Sequence, residues 1–380
     1  MKKVRLWIVG ILVLGAAILF IGRSEVINAY FSGVKLQFLA NYTNKYYLYD
    51  FEEQMSIEGI YSGYLEGLDN RVTYYLEDDD LKAASAEMRG NYYGVGLKLA
   101  WSLDGHSLTV TKVISESPAE RAGIEVGDQI TQVEGIKVLP SNEKEVVEKA
   151  FSNANEPITF VVEHNGQAKE IVLIPEEVNL EEMTVELMDT VMYIHLHTIK
   201  EGTSMHLKEK IDAVDSSLYQ TILLDLRGLE THNLEEVCRI SDLFLEEGIA
   251  FKEKTKEEKV EVFTTEAGAY DKNLAILMNS TTLAGAEALV LALEEKATLY
   301  GSETGGLFYI KTLVGFEDGT GMSVASGKIC DRYGKQLSEE GIEPDERLYL
   351  DEESQLDKLS EGYILKEEDS YLKAVLKKYQ

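Results

Sequence analysis

Basic residues are scarce in this 380-residue chain: 37 Lys and Arg face 67 Asp and Glu, for a formal net charge of −30. A surplus of acid on that scale argues against nucleic acid or anionic lipid as a partner for the body of the protein, and reads first as a solubilising surface. Cysteine is nearly absent. The two that occur, Cys238 and Cys330, lie in neither a C-x-x-C nor a histidine-rich setting, so they read as buried thiols, and a disulfide between them has no support. The chain also lacks internal repeats, low-complexity tracts, a Walker motif, a dinucleotide fingerprint and zinc-ligand spacing. No cofactor and no metal is therefore expected. What is present, 44% hydrophobic and 27% charged residues, is ordinary globular composition in a length that suits two or three domains.

Long apolar runs are missing too, with one exception. Lys2, Lys3 and Arg5 precede Leu6 to Gly22, which carries no charge, and Arg23 follows; as a helix this stretch would span roughly 26 Å, near the low end of what crosses a bilayer. A cleaved signal peptide is the competing reading, but no A-x-A site follows Phe20, so an uncleaved anchor is expected. The flanking charge places the N-terminus in the cytoplasm and residues 24–380 outside it. From Glu25 to about Arg89 the text is acidic and helical, with Ile60, Tyr61, Tyr64, Leu65 and Leu68 at helical spacing.

Residues 92 to about 175 are more specific. YYGVGLKL (Tyr92 to Leu99) precedes VISESPAERAGIEVGDQITQVEGIKV (Val113 to Val138). Gly94 and Gly96 free the backbone to turn N–H groups toward a peptide carboxylate, and the adjoining strand edge can accept the peptide as an extra strand. Pro118 starts a short helix, Gly127-Asp128 makes a turn, and a helix from Glu143 to Phe151 would flank the groove. This text resembles a PDZ domain, of the circularly permuted kind found in bacterial proteases. The resemblance implies that Tyr93, Gly94, Val95, Gly96 and Leu97 hold a peptide or protein C-terminus.

Downstream, VMYIHLHTI (Val191 to Ile199) alternates as a strand, placing His195 and His197 on one face. No carboxylate or third histidine clusters with them, so they read as packing, not as a metal pair. TILLDLRG (Thr221 to Gly228) has the pattern of a buried strand, and NLEEVCRISDLFLEEG that of a helix. The next apolar run, Leu274 to Met278, leads into NSTTLAGAE (Asn279 to Glu287) and then an apolar helix, Ala286 to Leu293. A strand ending in a small-residue turn that opens a helix is where many hydrolases place a nucleophile. This turn has none at its centre.

These segments, with the G-I-x-P-D phrase at Gly341 to Asp345, resemble the C-terminal processing peptidases, the tail-specific serine proteases. The resemblance covers nearly all of residues 30–380 and implies a helical region, a PDZ domain over 90–176 and a peptidase-like core over 177–380; with the membrane anchor read from the apolar run over 1–23 and the helical region over 24–89, the expected fold is α+β multidomain. It also places Ala284 at the family's nucleophile, Leu307 at its lysine base and Lys311 at its orienting glutamine. The family's D-L-R-x-N-x-G-G survives as Asp225, Leu226 and Arg227, but Thr231 and His232 stand where the oxyanion glycines belong. His232, beside Glu230, reads as a solvated loop side chain. No catalytic residue is therefore expected, and the leading expectation is a membrane-anchored, extracytoplasmic pseudopeptidase that binds C-termini. The alternatives are a peptidase with a shifted dyad, Ser280, Thr281 or Thr282 acting with Lys311, and a scaffold that binds no peptide.

Overall fold

The computed structural model describes residues 33–49, 53–68, 71–102, 106–142, 146, 156–164, 166–337, 339–349 and 369–379. The chain divides between Tyr61 and Ser62 into two compact units. Leu6 to Gly22 lies outside the described residues, and among those described no helix is long and apolar enough to cross a membrane.

The helical expectation for residues 24–89 holds for 33–46, Glu53–Glu66 and Asp78–Met88. It fails at Tyr74–Leu76, a strand that pairs antiparallel with Gly321–Cys330. The aromatic and β-branched run Val72 to Tyr75 suits a pleated surface better than a helix. Distant partners then fix it: Ser323 Oγ donates to the Val72 carbonyl at 2.6 Å, and the Ala325 N–H donates to Thr73 Oγ1 at 3.1 Å.

Strands Asn91–Gly94 and Glu176–Asn179 pair with each other where the chain enters and leaves the next domain, and Arg89 bridges to Glu177 at 2.8 Å. Between them five strands form one sheet in the order Leu97–Trp101, Leu108–Val113, Gln129–Val133, Ile158–His164, Gln167–Leu173. Val95, Leu97, Val110, Ile130, Val133 and Phe160 fill its core. The expected flanking helix, Glu143 to Phe151, falls outside the described residues except for Val146, which is buried in this core.

The peptidase-like region is built on a six-stranded sheet ordered Met183–Met188, Val191–Leu196, Thr221–Asp225, Asn273–Met278, Ala297–Gly301, Glu346–Arg347. All its neighbours run parallel except the first pair. The apolar runs follow from burial on both faces. Ile222, Leu224, Leu274 and Ile276 point to one side, under helices Thr203–Asp212, Leu234–Asp242 and Gly285–Leu293, while Leu223, Ala275 and Leu277 meet Leu372 and Val375 of the terminal helix Ser370–Leu376 on the other. Every residue of Gly285–Leu293 is buried, which explains a helix apolar all round. Cys238 and Cys330 are free, buried thiols.

Candidate functional site

In a parallel sheet, sites form at the carboxyl ends of the strands. Here Asn273–Met278 ends in the turn Asn279 to Thr282, which is riveted from within. Asn279 Oδ1 accepts from the Thr281 N–H at 3.1 Å and from its hydroxyl at 2.7 Å, and Thr281 Oγ1 accepts from the Gly228 N–H at 3.0 Å. Thr282, fully buried, donates to the Leu226 carbonyl at 2.9 Å and accepts from the Asn279 N–H at 3.2 Å. Both threonine hydroxyls thus bind the turn to the Leu226–Gly228 segment. Ser280 stands exposed at the tip.

Ala284 follows at φ 53° and ψ −117°, fully buried, as the residue preceding helix Gly285–Leu293. A non-glycine residue in that region carries about 1–3 kcal/mol of strain and persists only where its surroundings over-determine it. Two neighbours do so. Glu230–Thr231 pairs parallel with Leu283–Ala284, and the Ala284 N–H donates to Glu287 Oε2 at 3.1 Å. Glu287, buried, also accepts from Thr304 Oγ1 at 2.6 Å and the Gly306 N–H at 2.8 Å, and Thr304 Oγ1 accepts in turn from the Ile342 N–H at 2.8 Å. Burial raises the pKa of the Glu287 carboxyl, opposed by these hydrogen bonds. One side chain therefore ties the elbow to the loop that carries Leu307, which is half-buried.

Beside the elbow the main chain closes in. A Cβ on Gly285 would meet the Thr231 carbonyl oxygen at 2.8 Å and its Cγ2 at 2.9 Å. The Thr231 carbonyl and methyl group thus pack directly against the Gly285 main chain at the start of the helix.

His232 is not solvated as expected: its side chain is 4% exposed. Its Nε2 donates to Glu230 Oε1 at 3.0 Å, and Lys311 Nζ donates to the same oxygen at 3.0 Å. The Glu230 carboxyl is held down to about 2 by the His232 hydrogen bond and the Lys311 charge. Burial pushes the His232 imidazole down, against the pull of the Glu230 hydrogen bond. For Lys311, burial works against the ammonium, but the Glu230 carboxylate outweighs it and raises the pKa. Lys311 thus holds its proton against burial through its contact with Glu230. Of the shifted-dyad candidates, the Thr281 and Thr282 hydroxyls are engaged with the Leu226–Gly228 segment and Lys311 with Glu230, while Ser280 is exposed at the tip of the turn. The E-T-H spacing of Glu230 and His232, two apart and so on one side of a strand, was the sequence signal for their pairing.

Asp225 and Arg227 prove structural. Arg227 Nε donates to Asp225 Oδ1 at 2.9 Å, its Nη2 reaches Asp369 Oδ2 at 2.6 Å, and the Tyr193 hydroxyl donates to Asp225 Oδ2 at 2.9 Å. Burial would raise the Asp225 carboxyl, yet Arg227 holds it at about 2. Asp369, which caps the terminal helix by accepting from the Leu372 N–H at 3.0 Å, lies too far along the chain for sequence to connect to Arg227. His195 and His197 lie with ring centroids 4.2 Å apart and planes tilted by 56°, His197 Nε2 lies 2.8 Å from Thr184 Oγ1, and no metal-binding cluster occurs among the described residues.

At the glycine loop the carbonyls of Val95 and Gly96 accept from the Ala119 and Ile114 N–H groups at 2.9 and 2.8 Å. Gly96, at φ +88°, lies so close to Ser117 that a Cβ would sit 2.1 Å from that side chain. The Tyr92 hydroxyl, buried and without a hydrogen-bond partner, lies 2.5 Å from where a Cβ on Gly94 would be. Among the described residues, strand Leu97–Trp101 is the sheet's edge, paired with Leu108–Val113 alone.

The peptidase family S41 model matches residues 190–348, and a PDZ domain model matches residues 109–164. A probable CtpA-like serine protease of Staphylococcus saprophyticus subsp. saprophyticus is 24% identical over 80% of this chain and 63% of its own length. One from Staphylococcus aureus is 26% identical over 79% of this chain and 61% of its own. The chain thus spans under two thirds of each of these relatives. Among solved structures, the photosystem II D1 C-terminal processing protease superposes with a TM-score of 0.52 at 19% identity, covering 82% of this chain and 86% of that one, a likeness of fold.

Proposed function

We propose that this chain, which belongs to the C-terminal processing peptidases of family S41 and carries a PDZ domain, captures peptide or protein C-termini without cutting them. The observation that carries this reading is the elbow: its strained backbone is retained, while the residue at its apex is the buried methyl of Ala284. A methyl group cannot attack a carbonyl, Leu307 cannot take a proton, and Thr231 packs its carbonyl and methyl group against Gly285 beside the elbow.

Capture rests on the PDZ half. An extended peptide can add to the open edge of Leu97–Trp101. A free carboxylate at the Gly94–Gly96 loop would also give the buried, unpartnered Tyr92 hydroxyl an acceptor. We place the protein at the membrane by its N-terminal apolar stretch, with residues 24–380 outside the cytoplasm.

The test incubates the full chain with unfolded proteins and with peptides bearing free C-termini. Substrates should stay intact by mass spectrometry, and serine-reactive phosphonates should leave no adduct. Turnover that disappears with Thr282→Ala or Lys311→Ala would overturn the reading and establish a shifted dyad.

A further inference from the structure

Helix 33–46 keeps its apolar side chains in solvent. Phe38, Tyr42 and Tyr46 recur every four residues and so share one side of it, yet they are 63%, 55% and 60% exposed. Their rings run in a row, with centroids 5.8 and 4.6 Å apart. Leu39 beside them is exposed as well. At 100° per residue, Gln37 and Asn44 fall on the opposite side. Aromatic area left in water on this scale marks an interaction surface.

The charge of the segment runs against that of the chain. Residues 26–49 contain no Asp or Glu in a protein with 67 of them, and Lys35 and Lys45 are the only charged side chains there. The surplus of acid that argues against anionic lipid for the body is absent here. By helical spacing Lys35 falls within the aromatic row and Lys45 beside it; Lys45 Nζ lies 5.2 Å from the Tyr46 ring centroid.

This mixture discriminates between occupants. A second copy packed antiparallel across the middle of the row would set Lys35 of one chain against Lys45 of the other, like charges brought together in an apolar contact. The headgroup layer of a bilayer instead offers phosphates to lysines on long stems, and the boundary between apolar and wet where tyrosine is enriched. The helix, about 21 Å long, is too short to cross a bilayer but can lie along it. Residues 23–32 separate it from the apolar run that ends at Gly22, a reach of at most about 40 Å.

We propose that helix 33–46 lies in the headgroup layer of the membrane with the Phe38, Tyr42 and Tyr46 side facing the acyl chains, as a second, interfacial attachment. This rests on the reading that Leu6 to Gly22 anchors the chain.

The test uses the full chain reconstituted into vesicles of phosphatidylcholine and phosphatidylglycerol. Cys238 and Cys330 are buried, so an environment-sensitive fluorophore goes to one introduced cysteine, Tyr42→Cys or, across the helix, Asn44→Cys. Lipid carrying a nitroxide near the headgroup end of its acyl chain should quench the label at 42 about threefold more than the label at 44. An alkaline carbonate wash of the same vesicles reads the anchor separately. Protein retained through the wash but quenched equally at 42 and 44 would overturn the interfacial helix and leave the anchor standing. Protein released by the wash, yet quenched preferentially at 42 before it, would overturn the anchor and keep the helix. Unlabelled Tyr42→Cys chains that oxidise to disulfide-linked dimers, with no quenching at 42, would assign the face to a second copy and overturn the proposal.

Discussion

Giving the elbow back its hydroxyl and its amine should not give back a peptidase. Ala284→Ser with Leu307→Lys inherits a backbone already at φ 53° and ψ −117°, so the serine enters the elbow at no new backbone strain. The burial of its hydroxyl should lower stability by about 1–2 kcal/mol. The obstacle lies opposite, where Thr231 pairs with Ala284 and its carbonyl sits 2.8 Å from the Gly285 Cβ position. Loss of a single oxyanion donor costs about 10²–10³ in rate, and Thr231 and His232 stand where the family resemblance puts the glycines that supply it. Adding Thr231→Gly and His232→Gly should therefore raise single-turnover cleavage of a free-C-terminus peptide by roughly 100-fold over the two-substitution protein. Because His232→Gly also breaks the contact with Glu230, thermal unfolding of each variant must accompany the rates. A two-substitution protein that cleaves as fast as the four-substitution one would refute the argument that the Thr231 loop closes the site.

Lys311→Met should lower stability by about 1–2 kcal/mol in urea titrations, well short of a fully buried pair because Glu230 is 39% exposed; an unchanged midpoint would show that the ammonium does not need its partner. Asp225 is held at about 2 against an ordinary 3.8, so its stabilisation, about 2 kcal/mol, is complete above pH 3.8 and lost as pH falls toward 2. Arg227→Met should flatten that acid limb, and identical acid profiles would exclude the pair as its source. Gly96→Val drives a side chain into Ser117, whose atoms lie 2.1 Å from the Cβ position. It should lower the melting temperature and weaken free and amidated peptides alike; selective loss of the free peptide at unchanged stability would show the loop yields. The full chain should fractionate with membranes and keep its N-terminus, and recovery of a soluble form beginning near residue 25 would exclude the anchor.

The sequence made the sheet legible because burial on both faces leaves an unmistakable apolar run, as in Thr221–Asp225 and Asn273–Met278. The glycine loop was legible for a different reason: positive φ at Gly96 and its contact with Ser117 demand that residue type. What stayed hidden depends on distant partners. Tyr74–Leu76 becomes a strand because Gly321–Cys330 arrives some 250 residues later. His232 looks like a loop histidine until Lys311 supplies the second arm of its Glu230 contact.

The elbow separates two roles that an active hydrolase combines. Strain at a nucleophile is usually explained by the chemistry it serves, but the side chain at Ala284 is a buried methyl group. The strain persists because the same backbone does structural duty: Glu287 caps it while gripping Thr304 and Gly306, and the Glu230–Thr231 strand crosses it. Relaxing Ala284 would cut three connections between the central helix, the 304–307 loop and the strand carrying Glu230. The geometry at Ala284 is thus locked by side chains and a strand other than its own. A retained elbow is accordingly evidence of ancestry and packing, and activity has to be argued from the groups that face it.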